Sequence, residues 1–449
     1  MRHTIISLSV ACALTVGCAT VRNARDVQKA TNVPPGERTA TAAEVGLNSD
    51  SVLDLAAGIR IALACNPTVT QARQSLIAAS SQVFQASSSY KPSVSAAASY
   101  SRRTSNSGAT AAGNDSSASY GASLNLDILI YDFGKTPAAV RQAVLQQISA
   151  EVELRGAQND VVYGVRTAFF DLAKALELRQ VSEEAVRQSK VHLEQTKAFT
   201  EVGLRTRYDV TKAEVDFGNA QLALTDAENA LASARAMLNL SLGLAEDPGC
   251  KIGPVPPLEV SGTAAELMNK ARKGHPGLLI LQVQERIASA AIDQAVADLY
   301  PALRLGAGYS LSGNAFPLVW NWSATVQSAI DLFTGSRKPA AIDIAVARLR
   351  SARAGVASRE QQIFLDLTRA LSTRDTARHR LDLTELIVRQ AGESMDLVNE
   401  RYKQGKASSV EITDAQAALT QAMANRVKAR FDQQSATALI MHVIGDERP

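Results

Sequence analysis

Residues 119–128 alternate strictly between apolar and polar side chains. The apolar positions are Tyr120, Ala122, Leu124, Leu126 and Ile128, and the polar positions are Ser119, Gly121, Ser123, Asn125 and Asp127. A period of two is typical of a β-strand with one apolar and one polar face. We therefore predict a strand at about 118–131. Similar alternation predicts further strands at about 93–104, 302–313 and 320–333.

Elsewhere, apolar residues recur at every third or fourth position over very long stretches, which is typical of amphipathic helices. These helices are predicted at about 137–202, 208–242, 339–403 and 408–444. With a rise of 1.5 Å per residue, the first of them would be a rod about 100 Å long. Gly203 and Gly405 interrupt the pattern, so we expect each long helix to turn there into a shorter returning helix.

The two halves of the chain repeat one another. Asn66-Pro67 and Lys91-Pro92 return 209 positions later as His275-Pro276 and Tyr300-Pro301, while Gly203 and Asp209 return 202 positions later as Gly405 and Glu411. Such self-similarity is the signature of a tandem duplication. We predict a mainly α fold made of two helix–strand–strand–long helix–helix units, at 51–245 and 262–445, joined by a linker at 246–261.

Composition limits the possible functions. The 449-residue chain carries 47 basic and 44 acidic side chains, and this near balance argues against a nucleic-acid partner held by bulk charge. The histidines are scattered without metal-ligand spacing, and the sequence has no nucleophile elbow or phosphate loop. We therefore expect no metal, no cofactor and no enzymatic activity. Cys65 and Cys250 either pair in an oxidising compartment or remain unpaired core residues.

The N-terminus has the form of a targeting segment. Arg2 and His3 precede an apolar run at 5–16 that is too short to span a membrane and ends just before Cys18. This arrangement resembles a bacterial lipoprotein signal, which implies a signal peptide at 1–17, lipidation (palmitate) at Cys18 and an extended leader at 18–50. The cysteine is followed by Ala19 and not by aspartate, which resembles lipoproteins that are sorted to the outer membrane. Cleavage of an ordinary secretory signal is the alternative.

The predicted strands cannot form a closed structure within one chain. Four strands are too few to enclose a lumen, which takes at least eight. Eleven of the 21 aromatic residues lie in the two strand regions, as expected for aromatic belts at lipid interfaces. The predicted interface aromatics are Tyr120, Tyr131, Phe133, Tyr309, Trp320, Trp322 and Phe333. We therefore predict transmembrane strands closed by assembly of several chains; a small sandwich with one solvated face is the alternative.

Duplicated strand pairs joined to long helical hairpins, with turns at Val202-Gly203-Leu204 and from Tyr402 to Gly405, resemble the TolC family of outer-membrane efflux and secretion channels. The resemblance covers about 51–445 and is closest to the lipid-anchored, OprM-like (NodT-type) branch. It implies a homotrimer with a shared twelve-stranded β-barrel in the bacterial outer membrane and an α-helical tunnel in the periplasm. The implied partners are outer-membrane lipid, a periplasmic adaptor (membrane fusion) protein and an inner-membrane transporter.

The same resemblance assigns a periplasmic gate to the start of the last helix. Glu411 and Asp414 match paired acidic residues at the closed end of such channels, and their spacing of three places both carboxylates on one helical face. In a trimer they would form stacked acidic rings that favour cations. The alternative is an ordinary helix start, where acidic side chains are favoured by the helix dipole.

Asp209 and Tyr402 match the family's gate-closing residues, which hydrogen-bond between neighbouring helix pairs. The TolC pattern also has a basic residue two positions after the second-turn glycine, where this chain has Ala407. Lys406, Arg205 and Arg207 are the candidates to take its place.

The sequence therefore predicts the outer-membrane channel of a tripartite efflux system, a passive duct with an acidic gate at its periplasmic end. An outer-membrane duct for type I protein secretion or for heavy-metal efflux is the alternative. A periplasmic coiled-coil scaffold lipoprotein would explain the helices and the lipid, but it would not explain four strands or their duplication.

Overall fold

The computed structural model describes residue 41 and residues 46–48, 51–105 and 115–446. The predicted signal peptide, Cys18 and nearly all of the leader lie outside these residues. In chain order the elements are β1 (Val52–Leu53), α1 (Leu55–Cys65), α2 (Pro67–Ser87), β2 (Ser93–Ser105), β3 (Asp115–Tyr131), α3 (Lys135–Glu201), α4 (Arg207–Leu242), β4 (Lys251–Ile252), α5 (Ala264–Gly274), α6 (Pro276–Ala297), β5 (Ala302–Gly313), β6 (Val319–Ala329), α7 (Arg337–Lys403) and α8 (Ser409–Ile444).

The duplication is visible in the element lengths. The long helices α3 and α7 each have 67 residues, and the returning helices α4 and α8 each have 36. Both pairs are offset by 202 positions, the difference between Lys135 and Arg337 and between Arg207 and Ser409. At 1.5 Å per residue, each long helix extends for about 100 Å.

The strand-to-helix junctions repeat at the same offset. Phe133 and Gly134 have positive φ angles, and so do their equivalents Gly335 and Ser336. In both places the first helical N–H then bonds to a carbonyl three residues earlier at 3.2 Å, Lys135 to Asp132 and Arg337 to Thr334. The 202-residue equivalence therefore holds from the junctions to the ends of the returning helices.

The four long strands form one antiparallel sheet in the order β2-β3-β5-β6. Directly opposed residues share a face of a sheet, so the register places Leu124, Tyr309 and Trp322 in one row across three strands. The opposite face is polar, and there Arg304 Nη1 donates to Asp127 Oδ1 at 2.9 Å. Within the described ranges, no second long-stranded sheet is present.

Strand β6 is shorter than its alternation predicts. The predicted strand extends to 333, whereas β6 ends at Ala329. Its last paired residue, Ala329, lies opposite Ala302, the first residue of β5. Because the partner strand begins there, the residues from Ile330 to Phe333 have no ladder to join. Phe333 therefore lies beyond the sheet, in the segment that leads to α7.

A short parallel pairing connects the start of the chain to the predicted linker. Val52 lies opposite Lys251 and Leu53 opposite Ile252, so β4 falls inside the segment 246–261. Two-residue strands have no periodicity, which is why the sequence does not indicate them. Cys65 and Cys250 are both free thiols in the structure.

Two apolar cores hold the helices together at the level of these short elements. The first is centred on Val165, Phe169 and Phe170 of α3, and the second on Ile363 and Leu367 of α7. Helix α2 begins at Pro67, with the Asn66 side chain accepting from the Thr68 N–H at 2.9 Å. Among the described residues, no helix combines the length and the apolar character needed to cross a membrane.

Candidate functional site

The predicted turn glycines close the two long hairpins. Gly203 and Gly405 have φ angles of 77° and 72°, a region that glycine enters without steric cost. After Gly203, the Leu204 N–H bonds to the Phe199 carbonyl at 2.9 Å. After Gly405, the Lys406 N–H bonds to the Arg401 carbonyl at 2.8 Å. Each turn thus satisfies the open carbonyls at a helix C-terminus.

Asp209 forms a capping box at the start of α4. Its carboxylate accepts from the Thr206 N–H at 3.0 Å and from the Thr206 hydroxyl at 2.8 Å. Partial burial acts to raise the pKa of Asp209, but the hydrogen bonds from Thr206 outweigh it and hold the pKa below its ordinary value. The ionised carboxylate of Asp209 therefore stabilises the start of its own helix, α4.

Glu411 occupies the equivalent position on α8. Its carboxylate accepts from the Ser408 N–H at 3.1 Å and from the Ser408 hydroxyl at 3.2 Å, and it pairs with Arg401 at 3.2 Å. The two bonds from Ser408 lower the pKa of Glu411. Glu411 is thus already used as a helix cap, while Asp414, three residues further on, is exposed. No described residue forms an ion pair with Asp414.

Tyr402 is buried beneath the two turns. Its hydroxyl lies 3.3 Å from Thr196 Oγ1 of α3, and its ring packs near Phe199 and His192. The Tyr402 side chain therefore connects the second hairpin to the first. Among the described contacts, none joins Tyr402 to Asp209, so the direct bond suggested by the sequence is not made within the chain.

Arg205 reaches from the first turn to Ala407, the position at which the TolC pattern has a basic residue. Its guanidinium lies 4.7 Å from the centre of the Tyr402 ring and donates to the Ala407 carbonyl at 2.7 Å. One side chain of the first turn thus binds a ring and a carbonyl of the second. The sequence left three candidates, Arg205, Arg207 and Lys406, and only the fold shows that Arg205 makes these two contacts.

His192 is a buried residue of this site that the sequence analysis missed. Its Nε2 lies 3.4 Å from the hydroxyl of Ser409, and its Nδ1 is buried without a hydrogen-bond partner in the described structure. Burial lowers the pKa of His192, although the negative charge of Asp216 acts in the opposite direction. The neutral ring is therefore the favoured form under the turns. An isolated histidine in a helical pattern carries no signal that would have revealed this contact.

The aromatic residues assigned to the lipid interface fall into two groups. Tyr120, Tyr309, Trp320 and Trp322 lie on the apolar face of the sheet. Tyr131 and Phe133 lie at the junction of β3 and α3, where their ring centres are 4.8 Å apart. The Phe133 ring also stacks on that of Tyr300 at 5.3 Å. Phe333, beyond the end of β6, is almost fully exposed.

The two turns and the contacts between them define the candidate site. Across the described ranges, no group of three or more histidine, cysteine or acidic residues is placed to hold a metal ion. What the geometry offers is two glycine turns, two capping boxes and a buried tyrosine beneath an arginine. Of these, the contacts of Tyr402 and Arg205 join the two hairpins, and they can be broken and remade without any chemical step.

The comparisons with known proteins agree over most of the chain. The family model described as outer membrane efflux protein matches residues 58–244 and 267–446. The chain is similar to protein CyaE of Bordetella pertussis, with 28% identity over 346 residues that cover 74% of this chain and 69% of CyaE. It is also similar to the probable outer membrane lipoprotein SilC of Salmonella typhimurium, with 23% identity over 67% of this chain and 66% of SilC.

The fold is shared with solved structures. One is the outer membrane protein VceC of Vibrio cholerae, which matches with a TM-score of 0.74 and 19% identity over 87% of this chain and 96% of VceC. At this level of identity the likeness concerns the fold alone.

Proposed function

Because the chain belongs to the outer membrane efflux protein family, it is an outer-membrane efflux channel, and we propose that three copies enclose one passive duct. The duct would combine a twelve-stranded barrel in the membrane with a helical tunnel in the periplasm. Its apolar sheet face would contact lipid, and its polar face would line the pore. The aromatic residues on the apolar face support this orientation.

The observation that carries the proposal is the pair of open strand edges. Inside the chain, the last strand of the first repeat, β3, pairs with the first strand of the second repeat, β5. The last strand of the second repeat, β6, and the first strand of the first repeat, β2, lie at opposite edges of the sheet. Joining β6 of one copy to β2 of the next repeats the same connection and removes exposed edges.

The turns at the far end of the hairpins would form the periplasmic gate. Asp414, and Glu411 beside it, would place acidic rings at the narrow end of the tunnel and favour cations there. Tyr402 would keep the end closed through its contact with Thr196, and Asp209 would hold the first turn in shape through its bonds with Thr206. A periplasmic adaptor and an inner-membrane transporter would complete a tripartite efflux system, with the adaptor opening these contacts.

Lipid anchoring at Cys18 would add a second attachment to the outer membrane. The similarity to SilC, which is described as a probable outer membrane lipoprotein, supports this part of the proposal.

Fractionation, oligomer analysis and conductance together test the proposed function. The chain should be found in outer-membrane vesicles, run as a trimer without heating and as a monomer after boiling, and form cation-preferring channels in planar bilayers. Substitution of Cys18 by serine should prevent acylation but leave the trimer intact. A soluble monomer after removal of the lipid would refute the channel and favour a periplasmic scaffold.

A further inference from the structure

The two repeats meet inside the chain along a seam between α3 and α8. Arg430 of α8 donates to Glu177 of α3 at 2.8 Å. Further along the same seam, the rings of Tyr163 and His442 stack with their centres 4.7 Å apart. This seam joins the long helix of the first repeat to the returning helix of the second.

The equivalent seam on the other side of the molecule is open. At the 202-residue offset, Glu177 corresponds to His379 of α7, and Arg430 corresponds to Glu228 of α4. The acidic and basic positions have thus changed places, with the basic side now on the long helix. Both Glu228 and His379 are exposed, as two halves of an unformed contact would be.

The apolar part of the seam follows the same rule. Tyr163 corresponds to Leu365 and His442 to Leu240, so a ring stack is replaced by two leucines, both exposed. Val162 in the first apolar core is 1% exposed, whereas its equivalent Phe364 is 63% exposed. Phe364 lines an open groove of about 610 Å³ together with Met268 and Leu371.

The short helices show the same asymmetry. Helix α6 packs against both α3 and α7, whereas α2 packs against α3 of its own repeat as its one long-helix neighbour in the described structure. Where α6 meets α3, Arg141 pairs with Asp293 and Gln142 bonds to Gln294. By the repeat offsets, Gln142 of α3 corresponds to the residue 202 positions later in α7, and Asp293 of α6 corresponds to the residue 209 positions earlier in α2.

The equivalents of these two residues are apolar and open to solvent. They are Ile344, 53% exposed, and Phe84, 74% exposed. Covering two such exposed apolar side chains with a partner is favourable, because it removes their surface from water. The open surface is therefore suited to a protein partner of complementary shape.

We propose that α7 of one copy packs against α4 and α2 of the next copy in the register of the internal seam, so that His379 meets Glu228 and Leu365 meets Leu240. This inference rests on the proposed trimer and goes beyond it by fixing which residues meet. The two surfaces differ, so the contact is head-to-tail and forms a closed ring when the rotation between copies is right. Arg378 and Arg380, which flank His379, would add positive charge opposite Glu228.

Crosslinking between cysteine pairs tests the register. Glu228→Cys and His379→Cys are introduced together into a chain carrying Cys65→Ser and Cys250→Ser, and the purified protein is treated with a short bis-maleimide. The control pairs Glu228→Cys with Leu386→Cys, because Leu386 lies seven residues from position 379 and about 10 Å further along α7. The expected result is a covalent ladder up to the trimer for the first pair and little product for the control.

Other outcomes separate this inference from the proposed function. An intact trimer by mass with no crosslink at 228 and 379, or with more crosslink at 228 and 386, would overturn the register and leave the channel standing. Absence of any trimer would overturn both.

A charge exchange gives an independent readout. Glu228→Arg should lower the dissociation temperature of the trimer by a few degrees, and adding His379→Glu should restore it, because the pair then has the charge order of Arg430 and Glu177. Failure of the second substitution to restore the temperature would contradict the pairing.

Discussion

The guanidinium of Arg205 covers the ring of Tyr402 at 4.7 Å and also bonds to the Ala407 carbonyl at 2.7 Å. This single side chain connects the two turns of the candidate gate. Arg205→Ala should therefore loosen the closed end, since a cation–π contact and a charged hydrogen bond are each worth about 1–2 kcal/mol. We expect faster hydrogen exchange at the second turn and a larger single-channel conductance.

Arg205→Lys is the matched control for that prediction. It keeps the positive charge but loses the planar donor geometry, so its effect should be intermediate. Unchanged exchange at the second turn in Arg205→Ala would show that Arg205 does not hold the turns together.

Asp209 and Tyr402 should act independently of each other. Asp209→Ala removes a capping box, at a cost of about 1 kcal/mol, and Tyr402→Phe removes the contact with the Thr196 hydroxyl. We expect both substitutions to raise conductance. In a double-mutant cycle on the free energy of unfolding, their effects should add to within about 0.5 kcal/mol. A larger coupling energy would mean that the assembled channel forms the direct bond predicted from the sequence.

Asp414 gives the cleanest test of the acidic gate. Asp414→Asn removes an exposed charge without disturbing a cap, so it should reduce cation selectivity, measured as a smaller reversal potential in a salt gradient, and leave thermal stability unchanged. Glu411→Ala should change both quantities, because Glu411 also caps α8 through Ser408. A reversal potential that stays the same in Asp414→Asn would favour the ordinary helix start.

Two glycines with nearly the same backbone angle should differ in their tolerance of a side chain. Gly203 and Gly243 have φ angles of 77° and 76°, but an added Cβ meets open space at Gly203 and would lie 2.8 Å from the Asn66 Cα at Gly243. Gly203→Ala should cost about 1–2 kcal/mol from the left-handed backbone alone. Gly243→Ala should cost clearly more, measured by thermal unfolding. Equal losses would show that the contact with Asn66 relaxes freely.

Stability should fall at acid pH partly because of His275. Burial, and then the nearby Arg359 guanidinium, lower the pKa of His275 from 6.5 to about 4. The unfolded chain therefore binds this proton more readily than the folded chain, so the stabilising contribution is complete above about pH 6.5 and is lost as the pH falls toward 4. In His275→Gln, the drop in unfolding temperature between pH 7 and pH 5 should be smaller than in the unaltered chain. An equal drop would assign the effect to other groups.

The pattern of side chains along the sequence determined the local elements and the faces of the strands. The long helices α3 and α7 were predicted to within two residues of their observed starts at Lys135 and Arg337. This was possible because helical periodicity is a property of neighbouring residues. The alternation around Leu124 likewise predicted an apolar face, and the sheet register places Leu124 on that face opposite Tyr309. The two repeat offsets, 209 and 202, were also readable, since a duplicated sequence keeps its spacing.

Tertiary structure decided every contact between residues far apart in the chain. The choice of Arg205 over Arg207, the Thr196 partner of Tyr402 and the burial of His192 join residues about 200 positions apart, and no local period encodes such pairs. The early end of β6 has the same cause, since a strand stops where its partner β5 begins. The sequence therefore determined which elements form and which way their faces point, and packing decided which side chains close the two turns.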